Sequence, residues 1–392
     1  MTPPARAQAA IEILDLIVIA AREAGPAADT IIADYFRTRR YAGSGDRRSV
    51  RELVYAAVRN AGERPPNGRA ALLGLIATQP ELVRLFEASA HGPAALVDGE
   101  ERSAAGVAPA WLLKRFSLSL DESERAALLE RAPLDLRVNR LKADVASVRA
   151  EFPQAEPAPH APFALRLPEG TRVENTPAFR EGRIEVQDTG SQLIVLACAG
   201  APGMLAVDLC AGAGGKSLGL AADMAGQGRL IACDTDRGRL SRLPVRAARA
   251  GAVIETRLLD PDKEFGTLSD LAGQADVVLV DAPCSGTGTW RRNPEARWRL
   301  TPERLSRLIT LQAHLLDLAA ALVRPGGHLV YAVCSLLLDE GARQIDAFFN
   351  RRSGWTHEEL PFDAGRADGA GRMLTPRHDG TDGFFIARLE SP

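Results

Sequence analysis

Midway along the chain stands the run Val207-Asp208-Leu209-Cys210-Ala211-Gly212-Ala213-Gly214-Gly215-Lys216-Ser217. It begins with apolar residues, passes through three glycines and ends on residues that can start a helix. In doubly wound sheets a ligand binds at such a turn, outside the carboxyl ends of the strands. Glycine lets the backbone approach that ligand closely. The run therefore predicts the first strand, the ligand turn and the first helix of a doubly wound α/β sheet.

Three kinds of ligand compete for this turn. A nucleoside triphosphate needs G-x-x-x-x-G-K-[ST]; residues 215–217 supply its end, but Cys210 stands where the first glycine belongs. A nicotinamide or flavin dinucleotide needs G-x-G-x-x-G, which fails at the third glycine when counted from Gly212. S-adenosylmethionine has no phosphates and needs an acid for its ribose, and Asp234 follows at about the required 20 residues. A tight turn without any ligand stays open as the alternative.

Short β-type runs alternate with helical runs around and after this turn. The predicted strands cover residues 205–210, 229–234, 253–260, 277–281 and 328–334, and the predicted helices include residues 216–225 and 302–323. Continuous apolar strands separated by helices indicate a parallel sheet covered on both faces. Asp260 ends the third strand on the ligand edge. Pro244 falls inside the predicted helix between the second and third strands and is expected to kink or end that helix. Residues 383–389 predict an antiparallel addition.

The amino-terminal part of the chain predicts helices. Apolar residues recur at helical spacing in two stripes: Ile11, Leu14, Ile17, Val18 and Val50, Leu53, Val54, Ala57. Ser49 is predicted to cap the second helix, with Glu52 completing a capping box. We therefore predict an all-α domain over residues 1–128. Residues 129–185 are dense in proline and carry a short strand at 164–167, which predicts a small α+β connector domain before the third domain, residues 186–392.

Composition excludes several classes of protein. The chain has 392 residues, 46% of them hydrophobic, which suits two or three domains with sizeable cores. Its longest apolar run is too short and too often interrupted by charge for us to expect a membrane span, and the start lacks the features of a signal peptide. Five cysteines without CxxC spacing argue against a disulfide framework and against structural zinc. We expect a soluble, cytoplasmic, metal-free protein.

Arginines are clustered although the net charge is only −2. One cluster comprises Arg37, Arg39, Arg40, Arg47, Arg48 and Arg51, and the other Arg291, Arg292, Arg297 and Arg299. Each cluster is either a solvated helix face or a surface for a polyanion such as RNA.

Two cysteines follow predicted strands at the ligand edge. Cys284 comes after Asp281-Ala282-Pro283, and Cys334 ends the fifth strand. A single such cysteine is usually a packing residue, but two on one edge suggest chemistry. Carbon 5 of cytosine is a poor nucleophile, and a thiolate that adds to carbon 6 makes it reactive toward a methyl sulfonium. By spacing alone, either cysteine can be the nucleophile.

The motifs together resemble the Nop/Sun family of RNA 5-methylcytosine methyltransferases, and within it the bacterial RsmB (Fmu/Sun) branch. The matching segments, in family order, are residues 186–193, 210–216, 281–299, 325–335 and 380–385. The resemblance implies a Rossmann-like S-adenosylmethionine methyltransferase domain, and the first domain is similar to the NusB-like RNA-binding domain of this branch. The sequence departs from the family in the turn, commonly CAAPGGKT, and after Cys334, where residues 336–341 replace a Pro and a Glu-Asn-Glu run.

The resemblance also assigns roles to residues. Cys334 is implied as the nucleophile, Cys284 as the residue that helps to release product, and Asp281 as the group that holds the cytosine near N3, with Lys216 pointing toward the site. The implied S-adenosylmethionine ligands are Cys210, Ala211, Gly212, Ala213, Gly214, Gly215, Lys216, Asp234, Arg239, Asp260 and Asp281. The implied RNA contacts are Arg37, Arg39, Arg40, Arg291, Arg292 and Arg297.

The resemblance favours small-subunit (16S) ribosomal RNA as the partner of a monomeric enzyme. Three alternatives stay open: transfer RNA as substrate, an inactive RNA-binding or ribosome-assembly factor on the same fold, and a DNA cytosine methyltransferase with Cys284 as its nucleophile.

Overall fold

The structure is a computed structural model that describes residues 1–23, 25–87 and 89–392. The chain forms two compact units. The first unit comprises Met1–Phe116, Leu120–Arg131 and Thr289–Pro302, and the second comprises Ser117–Ser119, Ala132–Gly288 and Glu303–Pro392. The division into three domains stays a prediction. An unexpected feature is that Thr289–Pro302, which the sequence suggests belongs to the third domain, packs with the amino-terminal helices.

The first unit is helical, as predicted. Its helices are α1 (Pro3–Arg22), α2 (Ala28–Arg37), α3 (Ser44–Asn60), α4 (Gly68–Gly74), α5 (Ala110–Leu113) and α6 (Glu122–Ala127), with 3₁₀ helices at Leu75–Ala77, Pro80–Phe86 and Pro294–Arg299. The predicted cap at Ser49 is wrong, because α3 already begins at Ser44. The Asp46 carboxylate there accepts a hydrogen bond from the Gly43 N–H at 3.2 Å, which fixes the first turn.

The segment Thr289–Pro302 is anchored in the first unit by two buried side chains. The Trp298 ring lies in the helical core, and its Nε1 donates to the Ala61 carbonyl at 3.0 Å. The fully buried guanidinium of Arg297 donates to the carbonyls of Val58, Arg59 and Ala61 at 2.6–2.9 Å. Carbonyls at the end of a helix lack intrahelical partners, and here a buried cation satisfies those at the end of α3.

This arrangement corrects two of the predicted RNA contacts. Arg297 has no exposed surface, and Arg291 is only 6% exposed. A phosphate cannot reach a guanidinium that is enclosed by protein and already bonded to three carbonyls. Arg297 is therefore a structural residue, and Arg291 is not a surface contact.

The second unit begins with a small antiparallel sheet of order β2-β3-β1-β4. Its elements are β1 (Leu134–Val138), α7 (Val145–Glu151), β2 (Glu156–Pro157), β3 (Ala164–Leu167), α8 (Pro177–Arg180) and β4 (Ile184–Val186). The buried apolar residues of these elements form a small core of their own, in the stretch where an α+β connector is predicted.

The rest of the second unit is a large mixed sheet with helices. Its elements are α9 (Thr189–Ala197), β5 (Leu205–Asp208), α10 (Gly215–Asp223), β6 (Arg229–Asp234), α11 (Arg237–Leu240), α12 (Leu243–Ala250), β7 (Glu255–Leu258), α13 (Glu264–Leu268), β8 (Ala275–Asp281), α14 (Pro302–Leu322), β9 (Val323–Val333), α15 (Ala342–Arg351), β10 (Thr356–Glu358), β11 (Arg366–Asp368), β12 (Gly371–Leu374), α16 (Pro376–Asp379) and β13 (Phe384–Glu390), with 3₁₀ helices at Ser269–Leu271 and Thr287–Thr289.

The sheet confirms the predicted α/β class. Strands β7-β6-β5-β8-β9 are parallel neighbours, β13 is antiparallel to β9, and β12, β11 and β10 extend the sheet beyond β13. Alternate residues serve opposite faces: Val278 and Val280 belong to one core, Val277 and Leu279 to the other. Strand order reverses between β5 and β8, so the ligand crevice is expected at the carboxyl ends of these two strands.

Two helical segments test predictions made from the sequence, one at Pro244 and one at α14. The predicted break at Pro244 is confirmed, because the helical segment after β6 is divided into α11 and α12 and Pro244 lies in the first turn of α12. By length and composition α14 could cross a membrane, contrary to the expectation that no run qualifies. Its Leu315, Leu316, Ala319 and Leu322, however, pack into the core of the sheet, as in the core helix of a globular domain.

Candidate active site

The glycine turn after β5 has a geometry that excludes side chains at two positions. Gly214 has φ +82°, and a Cβ there would lie 1.9 Å from Cδ1 of Leu243. Gly212 has φ +56°, and a Cβ there would lie 2.4 Å from Nη2 of Arg239. L-residues with side chains rarely adopt these dihedral angles. The turn therefore needs glycine both for its backbone conformation and for its close packing against the segment after β6.

A buried acid holds this turn. Asp234, at the end of β6, is 7% exposed. One of its carboxylate oxygens accepts from the Gly212 N–H at 2.7 Å, and the other accepts from the Asp236 N–H at 2.7 Å. A backbone N–H that would face a phosphate in a nucleotide-binding loop is thus already paired with a carboxylate.

A cavity of about 300 Å³ opens beside the turn at the carboxyl ends of the strands. Six predicted site residues line it together: Cys210, Asp234, Arg239, Asp281, Cys284 and Cys334. Asp236 and Glu264 also line it, so four carboxylates face one arginine. Such a cavity disfavours a polyphosphate and suits a ligand that carries positive charge. The residues present therefore fit S-adenosylmethionine, whose sulfonium is cationic, better than the nucleotides weighed above.

Beneath the turn, the first turn of α10 is tied to β5. The Ser217 hydroxyl donates to the Asp208 carboxylate at 2.7 Å, and both side chains are buried. Burial raises the pKa of Asp208 to about 7, against the opposing effect of the Ser217 hydrogen bond. This pair supports the turn from the side of the sheet rather than lining the cavity.

Lys216 reaches the cavity through an ion pair. Its Nζ lies 2.6 Å from Oδ2 of Asp281, and the two side chains are 13% and 27% exposed. Burial alone would lower the pKa of Lys216, but the Asp281 carboxylate more than compensates, and the net direction is upward. Lys216 is therefore held as an ammonium that fixes one oxygen of Asp281, which leaves the other available to a ligand.

The two strand-end cysteines are in contact. The Sγ atoms of Cys284 and Cys334 lie 3.3 Å apart, and both thiols are free. The hydrogen bond to Cys334, together with burial, raises the pKa of Cys284 well above the usual value. Cys284 is therefore a protonated thiol at neutral pH, in a position to exchange a proton with a group beside it.

A buried carboxylate that the sequence analysis did not single out, Glu340, joins the two cysteine loops. Its side chain has no exposed surface. Oε1 accepts from the Ser285 N–H and from Nε2 of Gln312, both at 2.9 Å. Oε2 accepts from the hydroxyls of Ser285 and Ser335, the latter at 2.6 Å. Since each serine directly follows one of the cysteines, one carboxylate fixes the backbone beside both thiols.

The loop after Cys334 is well bonded although it departs from the family pattern. The Leu336 N–H donates to Oγ1 of Thr287 at 2.8 Å, and the Tyr331 hydroxyl donates to the backbone carbonyl of Glu340 at 2.7 Å. The loop is therefore bonded both to β9 and to the loop after β8.

Some predicted site residues lie elsewhere. Asp260 does not reach the cavity: its side chain is 71% exposed and lies 4.0 Å from Nζ of Lys263. The nearby acid that does line the wall is Glu264, which is 5% exposed and 3.2 Å from Nε2 of His314. In the sequence, the only sign of this role for Glu264 was its position four residues after Asp260. Ala213 contributes to the turn through its backbone carbonyl, which accepts a hydrogen bond from Arg246 at 2.7 Å.

The first arginine cluster is also divided by its contacts. Arg37 is 76% exposed and pairs with Asp34 at 3.2 Å, and Arg40 is exposed. Arg39 instead stacks on the Tyr35 ring at 3.6 Å and pairs with a glutamate of α1. Arg37 and Arg40 are accessible, whereas Arg39 is engaged within the unit.

Replacing Gly214 with alanine is expected to weaken S-adenosylmethionine binding at least about tenfold and to lower the melting temperature. The left-handed backbone costs an alanine about 1–2 kcal/mol, and the new Cβ would also displace Leu243. Titration calorimetry with S-adenosylmethionine measures the affinity. Gly266→Ala is the matched control, because a Cβ there meets nothing within 4 Å. Equal affinities for the two variants would contradict the role given to the turn.

Comparison with known proteins gives the same family. The family described as 16S rRNA methyltransferase RsmB/F matches residues 195–390. Ribosomal RNA small subunit methyltransferase B of Pasteurella multocida is 34% identical over 290 residues, which cover 72% of this chain and 64% of that protein. The protein of the same name from Xanthomonas campestris is 36% identical, with 72% and 66% covered. The match thus spans slightly less than two thirds of these relatives' length.

A solved structure agrees with the sequence relatives. A methyltransferase homologue from Pyrococcus horikoshii has a TM-score of 0.60 and 27% identity, over 68% of this chain and 89% of that one. The similarity covers the methyltransferase fold and says nothing of a NusB-like first domain. With a family match over residues 195–390 and relatives more than 30% identical, the chain belongs to the RsmB/F family of 16S rRNA methyltransferases.

Proposed function

We propose that this chain methylates carbon 5 of a cytosine in RNA, with 16S ribosomal RNA as the substrate. The family makes S-adenosylmethionine the cofactor. The observation that carries the cytosine chemistry is the pair of thiols, 3.3 Å apart, in the wall of the same cavity as Asp234 and Asp281. A methyltransferase that acts on an amine or a hydroxyl has no need of two cysteines at this place.

The reaction needs a temporary bond to the base. The Cys334 thiolate adds to carbon 6 of cytosine, and the electron pair of the 5,6 double bond moves into the ring toward N3. Carbon 5 becomes nucleophilic and takes a methyl group; S-adenosylmethionine would supply it from its sulfonium, whose sulfur would keep the electron pair of the broken bond and leave as a neutral thioether. A base then removes the proton from carbon 5, the carbon 6–sulfur bond breaks, and the double bond returns with release of the Cys334 thiolate.

The environment of the two thiols supports this order. The pKa of Cys284 is raised by its hydrogen bond to Cys334 and by burial, and a protonated thiol is a poor nucleophile. In this state Cys284 cannot take the proton from carbon 5, so its part in release requires the thiolate form, which the raised pKa makes the stronger base. Chemistry at the level of the sequence left the two cysteines equal, and the resemblance to the family is what assigns attack to Cys334 and release to Cys284.

In this proposal Asp281 stabilises the charge that gathers near N3. Its Oδ2 is held by Lys216 at 2.6 Å, and the residue lines the cavity together with both cysteines. The proton that the Cys334 thiol loses on attack can pass to N3 by way of this carboxylate, and the neighbouring ammonium keeps the carboxylate in position. Lys216 therefore acts through Asp281 in this proposal.

Three further features belong to the proposed function: the role of the first unit, the oligomeric state and the kind of nucleic acid. The helical first unit serves as the RNA-binding, NusB-like part, and the accessible Arg37 and Arg40 contact phosphates. The protein works as a cytoplasmic monomer. RNA is favoured over DNA because the curated relatives carry ribosomal RNA in their names.

The test is the identity of the methylated nucleoside. The protein is incubated with methyl-labelled S-adenosylmethionine and transcribed 16S ribosomal RNA, and the RNA is digested to nucleosides for mass spectrometry. We expect 5-methylcytidine as the labelled product. Label in a different nucleoside, or label that transfer RNA or DNA acquires in preference to ribosomal RNA, would contradict the proposal.

A further inference from the structure

The first unit contains a pocket of about 340 Å³ whose wall is mainly arginine. The arginines are Arg48, Arg51, Arg59, Arg131 and Arg292. The first three lie on α3 at helical spacing, so they share one face of that helix. The other two come from the carboxyl end of the stretch Leu120–Arg131 and from the segment Thr289–Pro302. Three separate parts of the chain therefore bring guanidinium groups to one place.

Charge in this pocket is unbalanced. Two acidic residues, Asp29 and Glu52, also line it, and they leave a net charge of about +3. Asp29 is already engaged, because its Oδ1 lies 2.5 Å from both Nη2 of Arg51 and the Tyr55 hydroxyl. Arg48 is exposed and makes no hydrogen bond or ion pair with any residue in the described part of the chain. The pocket thus presents a guanidinium to solvent with no internal acid assigned to it.

The side chains around the pocket are held in position. The guanidinium carbons of Arg51 and Arg59 each lie 5.3 Å from the Tyr55 ring centroid, one turn away in either direction along α3. Arg292 is half-buried, in the segment that Arg297 and Trp298 fasten to the helical core. Such ordering lowers the entropy that binding would otherwise cost.

We propose that this pocket binds phosphate groups of the RNA backbone. Guanidinium groups pair with phosphate oxygens through two parallel hydrogen bonds, which suits a site built from several arginines. Seven of the eight residues that line the pocket are charged and five of them are arginines, which favours a polyanion over the apolar face of a protein helix. The inference rests on the proposed function in that the RNA is the substrate. It differs from the sequence prediction by keeping Arg292, leaving out Arg291 and Arg297, and adding Arg48 and Arg59 as contacts.

The test compares Arg48→Glu and Arg292→Ala with the unchanged protein, using the full chain. Fluorescence anisotropy gives the Kd for a labelled 16S ribosomal RNA fragment over a series of KCl concentrations. We expect Arg48→Glu to weaken binding about tenfold or more. Each lost phosphate contact should reduce the slope of log Kd against log [KCl] by about 0.7–0.9. The KM for RNA should rise while kcat at saturating RNA stays unchanged.

The control is Arg22→Glu, an equal change of charge on the same unit at a residue that is 62% exposed and outside the pocket. Equal weakening by Arg22→Glu and Arg48→Glu would overturn the proposal, since only net charge would then matter. Polyglutamate serves as a probe for an acidic protein partner. If Arg48→Glu lost affinity for polyglutamate but kept its affinity for the RNA fragment, the proposal would be overturned in favour of such a partner. RNA binding that depends on Arg48, in a protein that forms no 5-methylcytidine, would refute the proposed function and leave the pocket standing.

Discussion

Cys334→Ala is expected to abolish methyl transfer, whereas Cys284→Ala is expected to trap the RNA on the protein. Without Cys334 no bond to carbon 6 forms, and loss of a nucleophile lowers the rate by at least about 10³-fold. Without Cys284 the methylated adduct forms but is not resolved. Denaturing gels should show a slow, RNA-containing protein band for Cys284→Ala, and peptide mass spectrometry should locate the cytosine on Cys334.

A crosslinking experiment with 5-fluorocytidine distinguishes the roles of the two cysteines. RNA that contains 5-fluorocytidine cannot lose its substituent at carbon 5, so it should crosslink to the unchanged protein and to Cys284→Ala, but not to Cys334→Ala. Cys198→Ala is the matched control, because Cys198 is a buried thiol that contributes to the core behind the sheet. A crosslink to Cys284, or turnover by Cys334→Ala, would reverse the assigned roles.

The sheet was largely predictable, because its strands carry their own signal. Residues 229–234 match β6 at both ends, and the helix interrupted at Pro244 is divided as expected. Strands buried on both faces are continuous apolar runs, and glycine turns mark where a strand gives way to a helix. These are local properties of the chain. The carboxyl ends of the strands then follow from the topology, and with them the meeting of Cys284 and Cys334.

What the sequence could not predict depends on contacts between distant segments. Arg297 lies in a basic cluster that suggests RNA, yet its guanidinium satisfies carbonyls at the end of α3, more than 230 residues earlier in the chain. Charge clusters say nothing about burial, because burial depends on where the segment packs. The prediction for Asp260 was wrong for a related reason: its side chain is 71% exposed, and the acid that lines the cavity is Glu264, four residues later at the start of α13.

Glu340 illustrates the same limit within the active site. In the sequence it is one acid in a run that departs from the family pattern. In the structure its two oxygens accept four hydrogen bonds, from both cysteine loops and from Gln312 on α14. No spacing rule connects a residue after β9 with the N–H of Ser285, 55 residues earlier.

Glu340→Ala is expected to lower kcat by about 100-fold or more while the affinity for S-adenosylmethionine changes less than about threefold. The substitution leaves the Ser285 N–H without its acceptor and the Gln312 amide with only the Pro283 carbonyl, and a buried donor left unpaired costs about 1–3 kcal/mol. Both cysteine loops then lose their shared anchor, whereas the turn held by Asp234 does not depend on it. Initial rates with saturating RNA, calorimetry with S-adenosylmethionine and the yield of the 5-fluorocytidine crosslink measure the three effects.

Glu340→Gln separates positioning from simple loss of stability. The amide oxygen can accept from the Ser285 N–H and from Gln312, and the serine hydroxyls can rotate to accept from the amide nitrogen. This variant should therefore recover most of the crosslink yield. It also removes a negative charge that helps to raise the pKa of Cys284. Since a thiolate forms more easily away from a carboxylate, alkylation of Cys284 by iodoacetamide should shift to lower pH, measured with Cys334→Ala present in both proteins.

Asp339, the acid next to Glu340, provides the control for the Glu340 variants. Asp339 pairs with Arg343 at 2.7 Å, so Asp339→Asn alters the same loop without touching the carboxylate that both serines share. We expect its kcat to stay close to that of the unchanged protein. A Glu340→Ala protein with normal kcat and crosslink yield would show that the two thiols keep their places without a common anchor. An unshifted alkylation profile in Glu340→Gln would show that the carboxylate has no electrostatic effect on Cys284. With both results, Glu340 would be a packing residue, and the spacing of the thiols would come from the strands and from direct bonds between the two loops, such as that from the Gly288 N–H to the Cys334 carbonyl at 3.0 Å.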